Sequence, residues 1–353
     1  RRLKTLVINP FGIGDVLFSF RLVEELKRNG DSIGYLCNER TDALIDLNLN
    51  VEHTYIFNRD DLRTTLKTHP IQFIKKIHRL INEIKSHQYD RCLDLSMGRE
   101  YSFLMFLAGI KKRIGLNYKH RSKFLTQSIE LKEFKNRHVS EYHLDLLFKD
   151  RVAPPCAPLL ASQLAPKSKT KFDTYLKDMQ LRPWVAVAPG GGVTWGDNAN
   201  YKQWSPSNYA ALIKSIHNNG QDVLLFGSPD ERSLLEQVAK ASDLDFKHIL
   251  TDLNLDQTTY ALSQALGFVG NDGGLFHLAH WTGIPSLGIF GPVDEVVYGA
   301  GWCAARHQHL STKVECRPCY KAFRFTGCDY DRQCLEAIDP KRAFLALQNL
   351  SIC

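Results

Sequence analysis

The run Gly270-Asn271-Asp272-Gly273-Gly274-Leu275-Phe276-His277-Leu278-Ala279-His280 sets a carboxylate, two adjacent glycines and an imidazole within a few residues of one another. Apolar residues from Leu266 to Val269 precede it and Ile284-Pro285-Ser286-Leu287-Gly288-Ile289-Phe290 follows, so it reads as strand, glycine turn, short helix, strand. The first N–H groups of a helix have no partner inside it and meet an anion readily. Gly273 and Gly274 remove the side chains that would hold a phosphate off that backbone, with Asp272 and His277 at the rim. The plainer reading of the same letters is a tight turn with a capping Asp.

A second corner opens the chain. Leu6-Val7-Ile8-Asn9-Pro10-Phe11-Gly12-Ile13-Gly14-Asp15 is again strand then glycine turn, and Val16, Leu17, Phe20, Val23 and Leu26 continue at helical spacing until Gly30. Gly12 and Gly14 make it a phosphate-type corner. The third glycine of a dinucleotide fingerprint is missing, and Asp15 stands where the backbone would approach a pyrophosphate, which argues against a nicotinamide cofactor. A carboxylate at the mouth of such a corner suits a general base that takes a proton from an acceptor hydroxyl; a helix N-cap is the structural alternative.

Both corners need alternating strands and helices behind them. Strand-like runs at 3–9, 32–37, 53–57, 89–95 and 113–116, with helical spacing at 15–28, 71–87 and 100–108, predict an α/β domain over residues 1–150 that a helix at 138–149 closes. The Pro-rich, unperiodic stretch that starts at Val152 predicts a linker over 151–183. A second α/β domain is expected over 184–338, with strands at 184–188, 222–226, 268–271 and 286–290 and helices at 206–218, 229–241, 256–265 and 275–281. Ser205 before Pro206 is a good N-cap and first-turn pair. A chain of 353 residues is long enough for two such cores.

These residues resemble glycosyltransferase family 9, the ADP-heptose:lipopolysaccharide heptosyltransferases. The resemblance spans most of the chain. It rests on Gly12-Ile13-Gly14-Asp15, Val187-Ala188-Pro189-Gly190, Lys202-Gln203-Trp204-Ser205-Pro206, Phe226-Gly227-Ser228 with Glu231 after it, and the block from Asp272 to Pro292, in that order. It implies a GT-B fold, in which two Rossmann-like doubly wound parallel-sheet domains face a cleft. It further implies an inverting transfer from ADP-heptose to the lipopolysaccharide inner core, with no catalytic metal and the donor held mainly by the second domain. On this reading Asp15 is the base, and Lys202 supplies the positive charge that a divalent metal supplies elsewhere. Gly190 and Gly191 let the donor approach, Glu231 bonds the ribose hydroxyls, Asp272 holds the sugar or orders the loop, and His277 touches the phosphates. Residues 339–353 are expected to form a helix that crosses back onto the first domain. One departure stands out: the family usually carries a hydroxyl residue where this chain has Gly273. A transferase acting on a protein acceptor such as an autotransporter, and a nucleotide-sugar binder without turnover, are the alternative readings.

Other clusters have residue types that suit a metal or a charged partner. Asp243-Leu244-Asp245 and Asp329-Tyr330-Asp331 have the spelling of a cation-binding pair but follow no convincing strand, and His277 and His280 lack an evident third ligand. Of nine cysteines, Cys316, Cys319, Cys328 and Cys334 form a compact knuckle over 316–334. Clustered thiols in a cytoplasmic chain point to a structural Zn or Fe more than to disulfides, with reduced thiols as the other reading. A net charge of +7 includes the stretch Lys111, Lys112, Arg113, Lys119, His120, Arg121 and Lys123. With no nucleic-acid motif beside it, this stretch suits a phosphorylated lipid and peripheral contact with the inner membrane surface, or simply a solvated loop. The longest apolar run, 103–110, is too short to span a bilayer, and no secretory segment precedes the first strand, so a cytoplasmic location is expected.

Overall fold

Leu6, Val7 and Ile8 are all fully buried, as a strand must be when helices cover both faces of a parallel sheet. They form β1 (Lys4–Ile8) of the computed structural model, which describes residues 2–121, 123–148 and 153–353. With β2 (Ser32–Cys37), β3 (His53–Ile56), β4 (Arg91–Asp94), β5 (Lys112–Tyr118) and β6 (Gln127–Leu131) it makes a parallel sheet in the order β3-β2-β1-β4-β5-β6. The sequence pattern passes over β6 because it is an edge strand whose Gln127 and Ser128 are exposed. The helix Ile13–Arg28 turns Val16, Leu17, Phe20, Val23 and Leu26 into the core, at the spacing read from the sequence.

The second sheet repeats the plan. β7 (Trp184–Ala188), β8 (Asp222–Phe226), β9 (Ile249–Leu250), β10 (Phe268–Asn271), β11 (Ser286–Ile289) and β12 (His307–Leu310) are parallel in the order β12-β11-β10-β7-β8-β9. A small antiparallel hairpin, β13 (Tyr320–Lys321) and β14 (Arg324–Phe325), lies inside the Cys-rich segment. The chain therefore builds two Rossmann-like doubly wound units, one of Arg1–Phe134 with Val139–Pro154 and one of Lys135–His138 with Pro155–Cys353. The domain edge expected between 150 and 151 falls outside the described residues.

Two expectations need correction. Much of the stretch expected as linker is the helix Pro166–Met179, in which Phe172 is buried beside Trp184 and Tyr260, and Tyr260 donates to Asp173 at 2.9 Å. Its apolar face is thin, and so it reads as unperiodic until its cover is known. The terminal helix Pro340–Asn349, expected to cross back, belongs to the second unit's own core. Ala343, Ala346 and Leu347 share a buried cluster there with Trp204, Tyr209, Leu212 and Ile213. Trp204 Nε1 also donates to the Ile338 carbonyl at 3.1 Å, just before the helix begins.

Candidate active site

In the first unit the corner after β1 is fixed by two asparagines. Asn9 Oδ1 accepts from Phe11 N, Asn9 Nδ2 donates to the Asp15 carbonyl at 3.0 Å, and Asn38 Nδ2 donates to the Pro10 and Phe11 carbonyls at 2.7 and 2.6 Å. Gly12, not Asp15, is the N-cap of Ile13–Arg28. The capping alternative for Asp15 is thereby removed: its half-buried carboxylate lies in the first turn, where the helix dipole favours the ionised form. β1 pairs with both β2 and β4, so this corner sits at the switch in strand order where open α/β sheets bind ligands.

Next to it lies a carboxylate that sequence reasoning missed. Asp94 ends β4, in register with Ile8, and is 3 % exposed. Burial pushes its carboxyl up to about 6, although Ser96 N and Oγ both donate to Oδ1, at 2.9 and 2.5 Å. The Asp94-Leu95-Ser96 spelling of a side-chain turn was the available signal.

In the second unit the corresponding switch falls between β7 and β10. Here the structure brings together the loops after β7, β8 and β10, and with them Gly190, Gly191, Glu231, Asp272, Gly273 and Gly274. Asn271, also missed from sequence, ties two of these loops: its Nδ2 donates to the Pro189 and Gly190 carbonyls at 2.7 and 3.1 Å, and its Oδ1 accepts from Trp204 N at 3.0 Å. Glu231 ties the third, accepting from Gly192 N at 3.1 Å and from Ser228 N and Oγ at 2.9 and 3.1 Å. Gly190 and Gly191 leave no room for a side chain. A Cβ on Gly190 would lie 2.1 Å from Glu231 Oε1, and one on Gly191 would lie 2.3 Å from the Ala199 carbonyl oxygen. Since backbone cannot yield as a side chain can, Gly191→Ala is expected to destabilise the protein by about 1–3 kcal/mol in urea unfolding. Wild-type stability in that variant would contradict this packing.

Lys202 and Asp272 form the electrostatic centre. Both are 6 % exposed, and Lys202 Nζ lies 2.8 Å from Asp272 Oδ2. His277 Nε2 is 3.6 Å from Asp272 Oδ1. Burial by itself raises the Asp272 carboxyl, but the Lys202 ammonium and then His277 outweigh it and hold the group down at about 2. Burial lowers the His277 imidazole, against the pull of Asp272, so it is neutral at pH 7 and Lys202 is the cation of the trio. The ammonium also lies over the Trp195 ring, 5.0 Å from its centroid. Gly273 is extended, with φ 174°, and opens the helix Gly274–Trp281.

The remaining candidates have structural roles. His280 is fully buried, with Gly301 N donating to its Nε2 and the Trp302 ring edge-on at 5.6 Å. Asp243 is a left-handed C-cap and Asp245 an N-cap that accepts from Lys247 N. Arg113, counted in the basic stretch, braces a turn by donating to the Phe124 carbonyl at 2.6 Å. Among the described residues no three His, Cys, Asp or Glu side chains are grouped to hold a metal ion, so the structural Zn or Fe expected at Cys316, Cys319, Cys328 and Cys334 lacks support. These thiols have other work: Cys319 Sγ donates to the Cys316 carbonyl at 3.0 Å, Cys328 Sγ accepts from Arg332 N, Cys316 Sγ accepts from Gln333, and Cys334 is buried in the core.

Two Rossmann-like units, each with such a corner at the carboxyl ends of its strands, are the GT-B architecture of glycosyltransferases. The family model for glycosyltransferase family 9 (heptosyltransferase) matches residues 77–328, and the chain belongs to that family. It is 24% identical over 306 residues to the lipooligosaccharide heptosyltransferase 2 of Haemophilus influenzae, covering 82% of this chain and 83% of that protein. Among solved structures it resembles the ADP-heptose lps heptosyltransferase II of E. coli, with TM-score 0.74, 20% identity and coverage of 99% and 98% of the two chains. It also resembles the E. coli heptosyltransferase WaaC with ADP-2-deoxy-2-fluoro heptose, with TM-score 0.69, 15% identity and coverage of 98% and 99%. The protein is thus a glycosyltransferase.

Proposed function

We propose that this chain transfers heptose from ADP-heptose to a hydroxyl of the lipopolysaccharide inner core, with inversion and without a catalytic metal. The observation that carries the reading is the buried Lys202–Asp272 pair at the strand-order switch, beside the glycine-led N-terminus of Gly274–Trp281. A buried fixed cation and free helix N–H groups meet the charge that grows on a departing diphosphate, and they need no reorganisation as it grows. An ammonium has three donors; Asp272 takes one and orients the rest. The acceptor oxygen attacks the anomeric carbon as the carbon–oxygen bond to the diphosphate breaks. Its proton passes to the Asp15 carboxylate, ADP leaves, and a single displacement inverts the centre. Glu231 and Asn271 keep the loops around the nucleotide in place. The names of the related proteins support heptose and ADP as the donor parts. No described helix is long and apolar enough to cross a membrane, and we place the enzyme in the cytoplasm, meeting its lipid acceptor at the inner membrane surface.

ADP release from ADP-heptose should require inner-core acceptor and proceed at the same rate in EDTA. Prompt abolition by EDTA would overturn the metal-free reading.

Gly273 offers a further check. A Cβ there would have its nearest neighbours at 3.8 and 3.9 Å, and its backbone is one that any residue adopts. Gly273→Ser is therefore expected to leave stability within about 0.5 kcal/mol of the parent. It is expected to tighten ADP about tenfold by adding a donor to a charged group. Unchanged or weaker ADP binding by titration calorimetry would place the diphosphate elsewhere.

A further inference from the structure

The segment Val193–Lys202 brings Lys202 to the site, and the Cys-rich knuckle is fastened to it. The Trp195 indole that underlies the Lys202 ammonium packs on Phe325 of β14, ring centroids 4.9 Å apart, and on Tyr320 of β13 at 5.4 Å. Tyr201, next to Lys202, packs on the same Phe325 ring at 5.0 Å. Arg332 donates to the carbonyls of Asn200 and Gln203, on either side of Lys202, at 3.2 and 3.3 Å. At its other end the knuckle grips the chain after β11. Cys319 N and Tyr320 N donate to the Pro292 carbonyl at 2.9 and 3.0 Å, and Arg317 donates to the carbonyls of Gly291 and Val293 at 2.6 and 2.9 Å. Arg317 also pairs with Glu295 at 2.5 Å.

We propose that Trp195 is a positioning residue for Lys202, and that the β13–β14 hairpin is the brace that holds the indole in place. This rests on reading Lys202 as the cation that meets the donor diphosphate. A lysine is a compact charge on a flexible four-carbon stem, and fixing it before the ligand arrives removes an entropic cost from binding. Asp272 fixes one side of the ammonium. An indole face is the strongest aromatic partner for a cation and fixes it further, without adding a second negative charge that would repel the diphosphate. The indole is held in turn by the Tyr320 and Phe325 rings, while the hydrogen bonds of Arg332 hold the backbone on either side of Lys202 and those of Arg317, Cys319 and Tyr320 hold the hairpin to the chain after β11. The knuckle thus acts through Trp195 on the donor site, instead of standing apart from it as a separate structural module.

The test is a double-mutant cycle read by ADP titration calorimetry on the full chain, with melting curves for each variant. Trp195→Leu is expected to weaken ADP about tenfold, and Trp195→Phe, which keeps a ring face, to stay within about threefold of wild type. In a Lys202→Met background, Trp195→Leu is expected to change ADP affinity no further, because the ammonium it positions is gone. A purely structural role for Trp195 would weaken ADP equally in both backgrounds, and that result overturns the proposal, as does wild-type affinity in Trp195→Leu. If Lys202→Met itself binds ADP normally, the underlying reading of Lys202 fails first. Should Trp195→Leu not fold, Phe325→Ala removes the brace but leaves the indole. It should then weaken ADP about threefold in the parent and not in Lys202→Met, and equal loss in both again overturns the proposal.

Discussion

Asp15→Asn is expected to lower kcat for heptosyl transfer by about 10²–10⁴-fold while ADP affinity and the fold persist. The amide has nearly the carboxylate's shape, so the corner built by Asn9, Asn38 and the Gly12 cap should stand. Only proton acceptance and the favourable charge in the helix's first turn are removed, the latter worth about 0.3–1 kcal/mol of stability. Steady-state kinetics with saturating donor, together with ADP calorimetry, separate the two effects. Turnover within a few-fold of wild type would mean that another group takes the proton. Asp94, at the end of the neighbouring strand with its carboxyl near 6, is then the next residue to change.

Lys202→Met is expected to have the second large effect, in binding and in stability together. Removing one partner of a buried pair leaves Asp272, 6 % exposed, without its ammonium, a change that typically costs about 3–5 kcal/mol. ADP should bind about ten- to a hundredfold more weakly through loss of a charge-assisted contact. The pH dependence gives the sharper signature. In the wild type the Asp272 carboxyl is depressed to about 2, so it adds stability that is complete above its unfolded value near 4 and is lost as pH falls through about 2. That contribution is about 2 kcal/mol. In Lys202→Met, burial without the ammonium raises the carboxyl, so the variant's deficit should shrink as the pH is lowered from 7 to 3. Urea unfolding of both proteins at the two pH values cancels the other carboxylates. An equal deficit at both would show that the ion pair is not what holds Asp272 ionised.

The corners were legible in the sequence because their chemistry is local. Gly12 to Asp15 and Asp272 to Gly274 each place backbone freedom and a carboxylate directly after an apolar run, and the sheets put both at switches in strand order. What escaped depends on partners distant in the chain. Asn271 reads as a turn letter until Trp204 and Pro189 are seen to meet it. Trp195 has no recognisable pattern, since its partners Tyr320 and Phe325 lie in another segment. The terminal helix shows an apolar face in its letters, but a helical pattern does not say which body covers it, and the cover is the cluster around Trp204 and Tyr209. The four knuckle cysteines spell a metal site by proximity alone, whereas burial of Cys334 and the hydrogen bonds of the other three give them a structural role.

Mass spectrometry of inner-core lipopolysaccharide acceptors, with and without heptose already attached, incubated with the full chain and ADP-heptose in EDTA, tests the central claim most directly. The predicted result is an acceptor heavier by one heptosyl residue, with one ADP released for each acceptor modified and no product from Asp15→Asn. Unchanged mass in both kinds of acceptor, beside wild-type protein that is folded and binds ADP, would contradict it.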